Sequence, residues 1–307
     1  MLKNAKFILG RRIAQIQRNF PYPIKQKILK MPPIKTQHSN TYLVVLVQHK
    51  TFLEGLWTAW NWLFFLKEYL GLIFVIDGEI TEKERSQFIK LFPEGEIVSL
   101  SSQINDEFLS DESLDKFYTN HKFGKVFLLK LSLQQKFNIL FSDPDILVFS
   151  DPVEIRETLH LEQGLYCTEP GCSSFDPWIF NRAKDLNIKT IRDFNSGLLY
   201  IPQNYLSTDL CHELMKGWSV AEYHHFTEQT LLDVMMSASG AKALPLNEYV
   251  VNSQGMWFWQ ADIDYTQVKA RHFVGNVRHH MYLSGYPIIK RTLFRGIVNE
   301  YKTSAQN

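Results

Sequence analysis

Four short apolar runs separated by helix-length segments constrain this chain more than any other feature. TYLVVLV (41–47), LIFVI (72–76), EIVSL (96–100) and NILFS (138–142) are rich in β-branched and large aliphatic residues. They read as strands buried on both faces, the kind found in parallel sheets. Residues 52–70 have a helical pattern, with Gly71 placed as its C-terminal glycine. Asp77-Gly78 reads as a turn, and Thr81 with Glu84 has the spacing of a capping box that opens the next helix. Residues 120–137 form a further helical pattern, with Val126, Leu129 and Leu133 on one side. Strand alternating with helix predicts an α/β fold with a mainly parallel central sheet and helices on both faces. Ligands of such sheets bind beyond the carboxyl ends of the strands.

One domain is expected over residues 39–300, followed by a frayed tail at 301–307. The first 38 residues differ in composition. They carry nine of the 33 Lys and Arg and no acid, leaving 24 basic against 32 acidic residues beyond them. Leu9, Ile13, Ile16 and Phe20 fall on one helical stripe, and Lys6, Arg11, Arg12 and Arg18 lie mostly off it. A basic amphipathic arm of this kind suits a membrane surface, here through residues 1–30, and equally an arm packed on its own domain or a partner chain. The overall net charge of +1 gives no nucleic-acid footprint. Cys167, Cys172 and Cys211 form neither a disulfide framework nor a zinc pattern, which fits reduced thiols in a cytoplasmic protein. The apolar residues 7–9 are too short for a secretory signal, and residues 55–66 fall short of a membrane span.

The run NILFSDPDILVFSDP (138–152) places Asp143 and Asp145 at the end of the fourth strand. Residues two apart in an extended segment point to the same side. Two carboxylates held that way repel each other unless a cation lies between them. A hard divalent ion, Mg²⁺ or Mn²⁺, is the simplest solution. A polar strand-end turn, with Asp capping nearby amides, is the alternative.

The segment GKVFLLKLSLQQKFNILFSDPDILVFSDP (124–152) resembles the metal-motif region of nucleotide-diphospho-sugar glycosyltransferases of the GT-A fold. It is most similar to the plant xylosyl- and arabinosyltransferase-like group, with features of the glycogenin and galactosyltransferase-like group. Three later stretches, DFNSGLLYIP, TEQTLL and HFVGNVRHHMY, resemble further motifs of these families in the same order. The resemblance implies a Rossmann-like sheet and a donor site containing Lys125, Asp143, Asn195, Ser196, Gly197, Gly275 and Arg278. It implies metal ligation by Asp143, Asp145 and His272, with Asp143 touching either the ribose or a metal-bound water. Glu228 and Gln229 would sit beside the reacting sugar. Two departures stand out: Glu228 replaces the usual aspartate, and Arg278 replaces the usual lysine with a planar fork.

The implied activity is transfer of a sugar from a nucleotide diphosphate, with UDP the expected carrier, to an acceptor hydroxyl with retention of configuration. Gln229 or Glu228 would act as a weak nucleophile or stabiliser, or the enzyme would supply no nucleophile. A glycan, glycolipid or protein acceptor is expected, and polysaccharide synthesis on the cytoplasmic face of a membrane would suit the basic arm. GMWFWQ (255–260) and DPWIF (176–180) put aromatic rings in expected loops, where they would either stack on sugars or pack in the core. A haloacid-dehalogenase-type phosphatase or phosphotransferase also uses Asp-x-Asp after an apolar strand. It would want that strand near the N-terminus and an Asp-x-Asp-Gly-Thr continuation, which this chain lacks. A non-catalytic scaffold of the same fold is the third reading. No pair of carboxylates suggests the two flanking acids of a retaining glycoside hydrolase.

Overall fold

The computed structural model describes residues 23–37, 39–171, 175–191, 193–251 and 263–291. Strands β1 (Thr41–Val47), β2 (Gly71–Ile76), β3 (Glu96–Ser99) and β4 (Asn138–Ser142) are the four apolar runs. With β6 (Leu165–Thr168), β7 (Phe194–Ile201) and β8 (Lys242–Ala243) they build a seven-stranded sheet in the order β3-β2-β1-β4-β7-β6-β8. The first four are parallel, and β7 runs antiparallel to both β4 and β6. A second sheet is formed by β5 (Ile146–Val148), β9 (Tyr249–Val251) and β10 (Ala270–His272), with β10 in the middle.

One apolar core lies on each face of the large sheet. On the first, helix α1 (Phe52–Leu66) is buried on nearly all sides and carries Trp57, Trp60 and Trp62 into the interior. It ends four residues before the expected position. Gly71 is not a helix cap but the first residue of β2, where a Cβ would lie 2.7 Å from the Tyr42 ring. Helix α2 (Glu82–Leu91) opens with the expected capping box, the Thr81 hydroxyl accepting from the Glu84 N–H and Glu84 from the Thr81 N–H.

On the second face, the pattern at 120–137 proves to be the last residue of one helix and the whole of another, α3 (Glu112–Asn120) and α4 (Gly124–Gln134). Gly124 permits the sharp turn between them, because a Cβ there would lie 2.1 Å from the Phe117 carbonyl oxygen. Helices α5 (Val153–Thr158), α6 (Pro177–Asp185), α7 (Thr208–Met215) and α8 (Thr227–Ala238) follow. DPWIF is the start of α6 rather than a loop: Asp176 caps it by accepting from the Trp178 N–H, and Ile179 is buried. GMWFWQ lies outside the described residues.

The basic segment is not wholly separate from the domain. Ile28, Met31 and Ile34 join the core, and the indole N–H groups of Trp57 and Trp60 donate to the carbonyls of Lys25 and Pro32. Apolar side chains at 28, 31 and 34 and the indoles of Trp57 and Trp60 fasten the chain there despite the prolines. The stripe at Leu9–Phe20 lies outside the described residues. Cys167 and Cys211 are buried free thiols whose pKa is raised by burial. No helix among the described residues is long and apolar enough to cross a membrane.

Candidate active site

The two aspartates are not two positions of one extended strand. Asp143 still pairs with β7, its N–H donating to the Gly197 carbonyl at 2.8 Å. The chain then turns, closed by the Ile146 N–H donating to the Asp143 carbonyl at 3.1 Å, and enters β5 of the small sheet. Helix α1 holds this turn from below. The Thr58 hydroxyl is shared between the carbonyls of Pro144 and Ile146, at 3.0 Å each, and the Trp62 N–H donates to the Ser142 hydroxyl at 3.0 Å. Residues far apart in sequence arrive through the second sheet. His272 on β10 is in register with Ile146, and the next residue, Phe273, donates its N–H to the Asp145 carbonyl at 2.8 Å.

Asp143, Asp145 and His272 thus converge, with one ligand atom from each within 4.8 Å of the others. His272 Nε2 is 3.2 Å from Asp145 Oδ1 and 3.5 Å from Asp143 Oδ2. The tautomer follows from Asn195. Its Oδ1 accepts from the Gly197 N–H at 3.0 Å while its Nδ2 donates to Glu169, which settles the amide orientation. His272 Nδ1 lies 3.0 Å from that same Oδ1 and must therefore carry a proton, leaving the Nε2 lone pair aimed at the two carboxylates. Burial lowers the His272 pKa, against the pull of Asp143 and Glu169. Burial also raises the pKa of Asp143, opposed by His272 and Lys130. Its side chain is 37% exposed, but that exposure is toward the floor of a cleft rather than open solvent. A lone pair facing two carboxylates is a donor set that asks for a cation. Two oxygens and one imidazole nitrogen suit Mn²⁺ or Mg²⁺.

Gly197 is needed for this approach. A Cβ there would lie 2.3 Å from His272 Cε1 and 2.9 Å from Asp143 Oδ2. Arg278 ion-pairs with Asp145, and Gly275, with φ of +42°, opens the helical turn that leads to it. These groups line a cleft of about 860 Å³ at the carboxyl ends of β1 and β4, together with Asn195, Ser196, Glu228 and Gln229.

Lys125, the lysine expected in the donor site, is not there. It is exposed, with its ammonium 5.7 Å from the Tyr118 ring, and it does not line the cleft. On the same helix the lysine that does line it, besides Lys50 and Lys122 from other segments, is Lys130, five residues on and about 140° further round α4 at 100° per residue. Lys130 is almost fully buried. Its Nζ donates to Glu228 at 2.7 Å and to the Ser196 carbonyl at 3.1 Å, and it lies 4.2 Å over the Phe141 ring. The Ser196 hydroxyl donates to the other Glu228 oxygen at 2.9 Å. This knot joins α4, α8 and β7 directly beneath the cleft. Its sequence signal was a lysine enclosed in the apolar run LLKLSL (128–133), where a solvated residue is out of place. Glu169, which orients Asn195, carried no such signal.

No protein-family model matches the sequence, and no curated protein matches it in sequence. Solved structures are similar in fold. Mouse xyloside xylosyltransferase 1 superposes with a TM-score of 0.52 at 14% identity, over 80% of this chain and 99% of that one. The WbbM bifunctional glycosyltransferase gives 0.52 at 13% identity, over 86% of this chain, which spans 53% of that longer one. Galactosyltransferase LgtC, solved with donor and acceptor sugar analogues, gives 0.51 at 12% identity over 78% and 87%. The sheet order, the small second sheet and these superpositions establish that the chain has the GT-A fold of nucleotide-sugar glycosyltransferases.

Proposed function

We propose that this protein is a divalent-metal-dependent glycosyltransferase that moves a sugar from a nucleotide diphosphate, with UDP as the carrier, to an acceptor hydroxyl. The observation that carries the reading is the convergence of Asp143, Asp145 and His272 in the cleft of this fold, with the His272 tautomer set by Asn195. Asp145 and His272 would hold the cation, and Asp143 would contact it, a water on it or the ribose. A bound Mn²⁺ or Mg²⁺ supplies positive charge where the leaving diphosphate becomes more negative.

The chain's own groups would do the rest. Arg278 and the backbone at Gly275 would bind the diphosphate, and Asn195, Ser196 and Gly197 would border the donor sugar. As the anomeric C–O bond breaks, its electron pair leaves with the diphosphate. The acceptor oxygen bonds to the anomeric carbon and its proton passes to a diphosphate oxygen, with retention of configuration. Glu228 has both oxygens committed to Lys130 and Ser196, so it fits a positioning role. Gln229 lines the cleft and is the side chain of this pair that we assign beside the reacting carbon. The acceptor would be a glycan or glycolipid, reached from the cytoplasmic face of a membrane through the basic arm.

Calorimetric titration of UDP-sugars with and without Mn²⁺, on wild type and Asp145→Ala, tests the reading. Metal-dependent binding of one donor, lost in the variant, is the expected result. Failure of UDP-, GDP-, CMP- and dTDP-sugars alike would overturn it.

A further inference from the structure

The donor reading leaves one wall of the cleft unassigned. It is built by the segments immediately before α4 and α8: Lys122 and Phe123 on one, His225 and Phe226 on the other. The rings of Phe123 and His225 meet edge to face at 5.4 Å, and those of His225 and Phe226 at 5.0 Å. The Lys122 ammonium stands 4.8 Å over the Phe123 ring, and both Lys122 and His225 are exposed.

This wall brings a cation and no carboxylate to the lining of the cleft. The carboxylates that line the cleft, Asp77, Asp143, Asp145, Glu169 and Glu228, all come from other segments. The contact made by Lys122 is with an aromatic face rather than a carboxylate. His225 feels the consequence. Its pKa is held down first by burial and then by Lys122 and His224. The wall therefore combines an apolar ring face, suited to the C–H face of a sugar, with the exposed Lys122 ammonium beside it. Arg278 serves a different place, at the Asp145 turn.

We infer that this wall is the acceptor subsite and that it takes an acidic saccharide, one bearing a carboxylate or a phosphate, with its ring on Phe123 and its anionic group on Lys122. This rests on the glycosyltransferase reading. A neutral sugar would need only the rings and would leave Lys122 in water, whereas a charge-assisted hydrogen bond to Lys122 is worth about a tenfold gain in affinity.

The full chain, saturated with UDP and Mn²⁺, is titrated by NMR with methyl β-glucoside, methyl β-glucuronide and glucose 6-phosphate. The same series is run on Lys122→Gln. An acidic member should bind about tenfold tighter than the glucoside, and the two acidic arms tell a carboxylate from a phosphate. Lys122→Gln should shrink that preference to about twofold or less while leaving UDP affinity unchanged. Equal binding of all three sugars, binding of none, or a preference that survives in the variant overturns the inference and leaves the donor reading standing. Failure of UDP itself to bind, measured beforehand, overturns both.

Discussion

Lys130→Met should destabilise this protein severely, and the reason is the carboxylate left behind. Lys130 and Glu228 have side chains only 1% and 7% exposed and sit 2.7 Å apart. Deleting the ammonium strands a buried charge. Removing one partner of a buried pair costs about 3–5 kcal/mol. The Ser196 hydroxyl still donates to Glu228, but the Ser196 carbonyl loses its lysine donor. Neutralising both partners tells a different story. In Lys130→Met with Glu228→Gln no uncompensated charge remains, and the glutamine oxygen still accepts from Ser196. That double variant should recover at least half of the loss, because a buried ion pair exchanged for neutral groups of similar volume is often close to neutral in stability. Urea unfolding followed by tryptophan fluorescence measures both variants. A single-variant cost below about 1 kcal/mol, or a double variant no more stable than the single, would refute the reasoning. Donor binding gives a second readout: if the knot positions Gln229 and Ser196, the refolded double variant should bind UDP while turning over the sugar donor more slowly.

Three further outcomes are expected. Gly197→Ala places a methyl 2.3 Å from His272 Cε1 and 2.9 Å from Asp143 Oδ2; calorimetry should show Mn²⁺-dependent nucleotide binding lost while circular dichroism shows the fold retained. His272→Ala should weaken Mn²⁺-dependent UDP binding at least about tenfold, and EDTA should do the same to wild type, both read by calorimetry. Asp233 is a pH prediction. Burial raises its pKa to about 7, against the hydrogen bond from the Ile191 N–H. A carboxyl with a raised folded-state pKa is compatible with the fold when protonated. The stability it contributes is present below the unfolded value near 3.8 and is lost progressively as pH rises to about 7. Asp233→Asn keeps an oxygen for Ile191 and should raise the melting temperature at pH 8, by at most about 4 kcal/mol of stability, with little change at pH 4.

The strand runs at 41–47, 72–76, 96–100 and 138–142 were legible because a parallel sheet covered on both faces demands uninterrupted apolar strands. The Thr81 capping box was legible because its partners are three residues apart. Asp143 and Asp145 could be picked out as a pair because the acids interrupt such a run, and Asn195, Gly197 and His272 only through their resemblance to known motifs. Other features depended on contacts between distant segments. The turn at Asp143–Ile146 depends on α1 holding it from below, so its shape could not be deduced from the Asp-x-Asp spacing. Residues 120–137 looked like one helix, because Gly124 serves there as the point where two helices approach, not as a visible breaker. Ile28, Met31 and Ile34 enter the core only because α1 presents tryptophans to receive them. Lys125 and Lys130 lie on one helix and differ only in which of them faces Glu228, 98 residues away. Local pattern determined where strands and helices form, because hydrophobic periodicity acts within a few residues. Which side chains meet in the cleft was decided by strand order and register, which bring together residues as distant as Asp145 and His272.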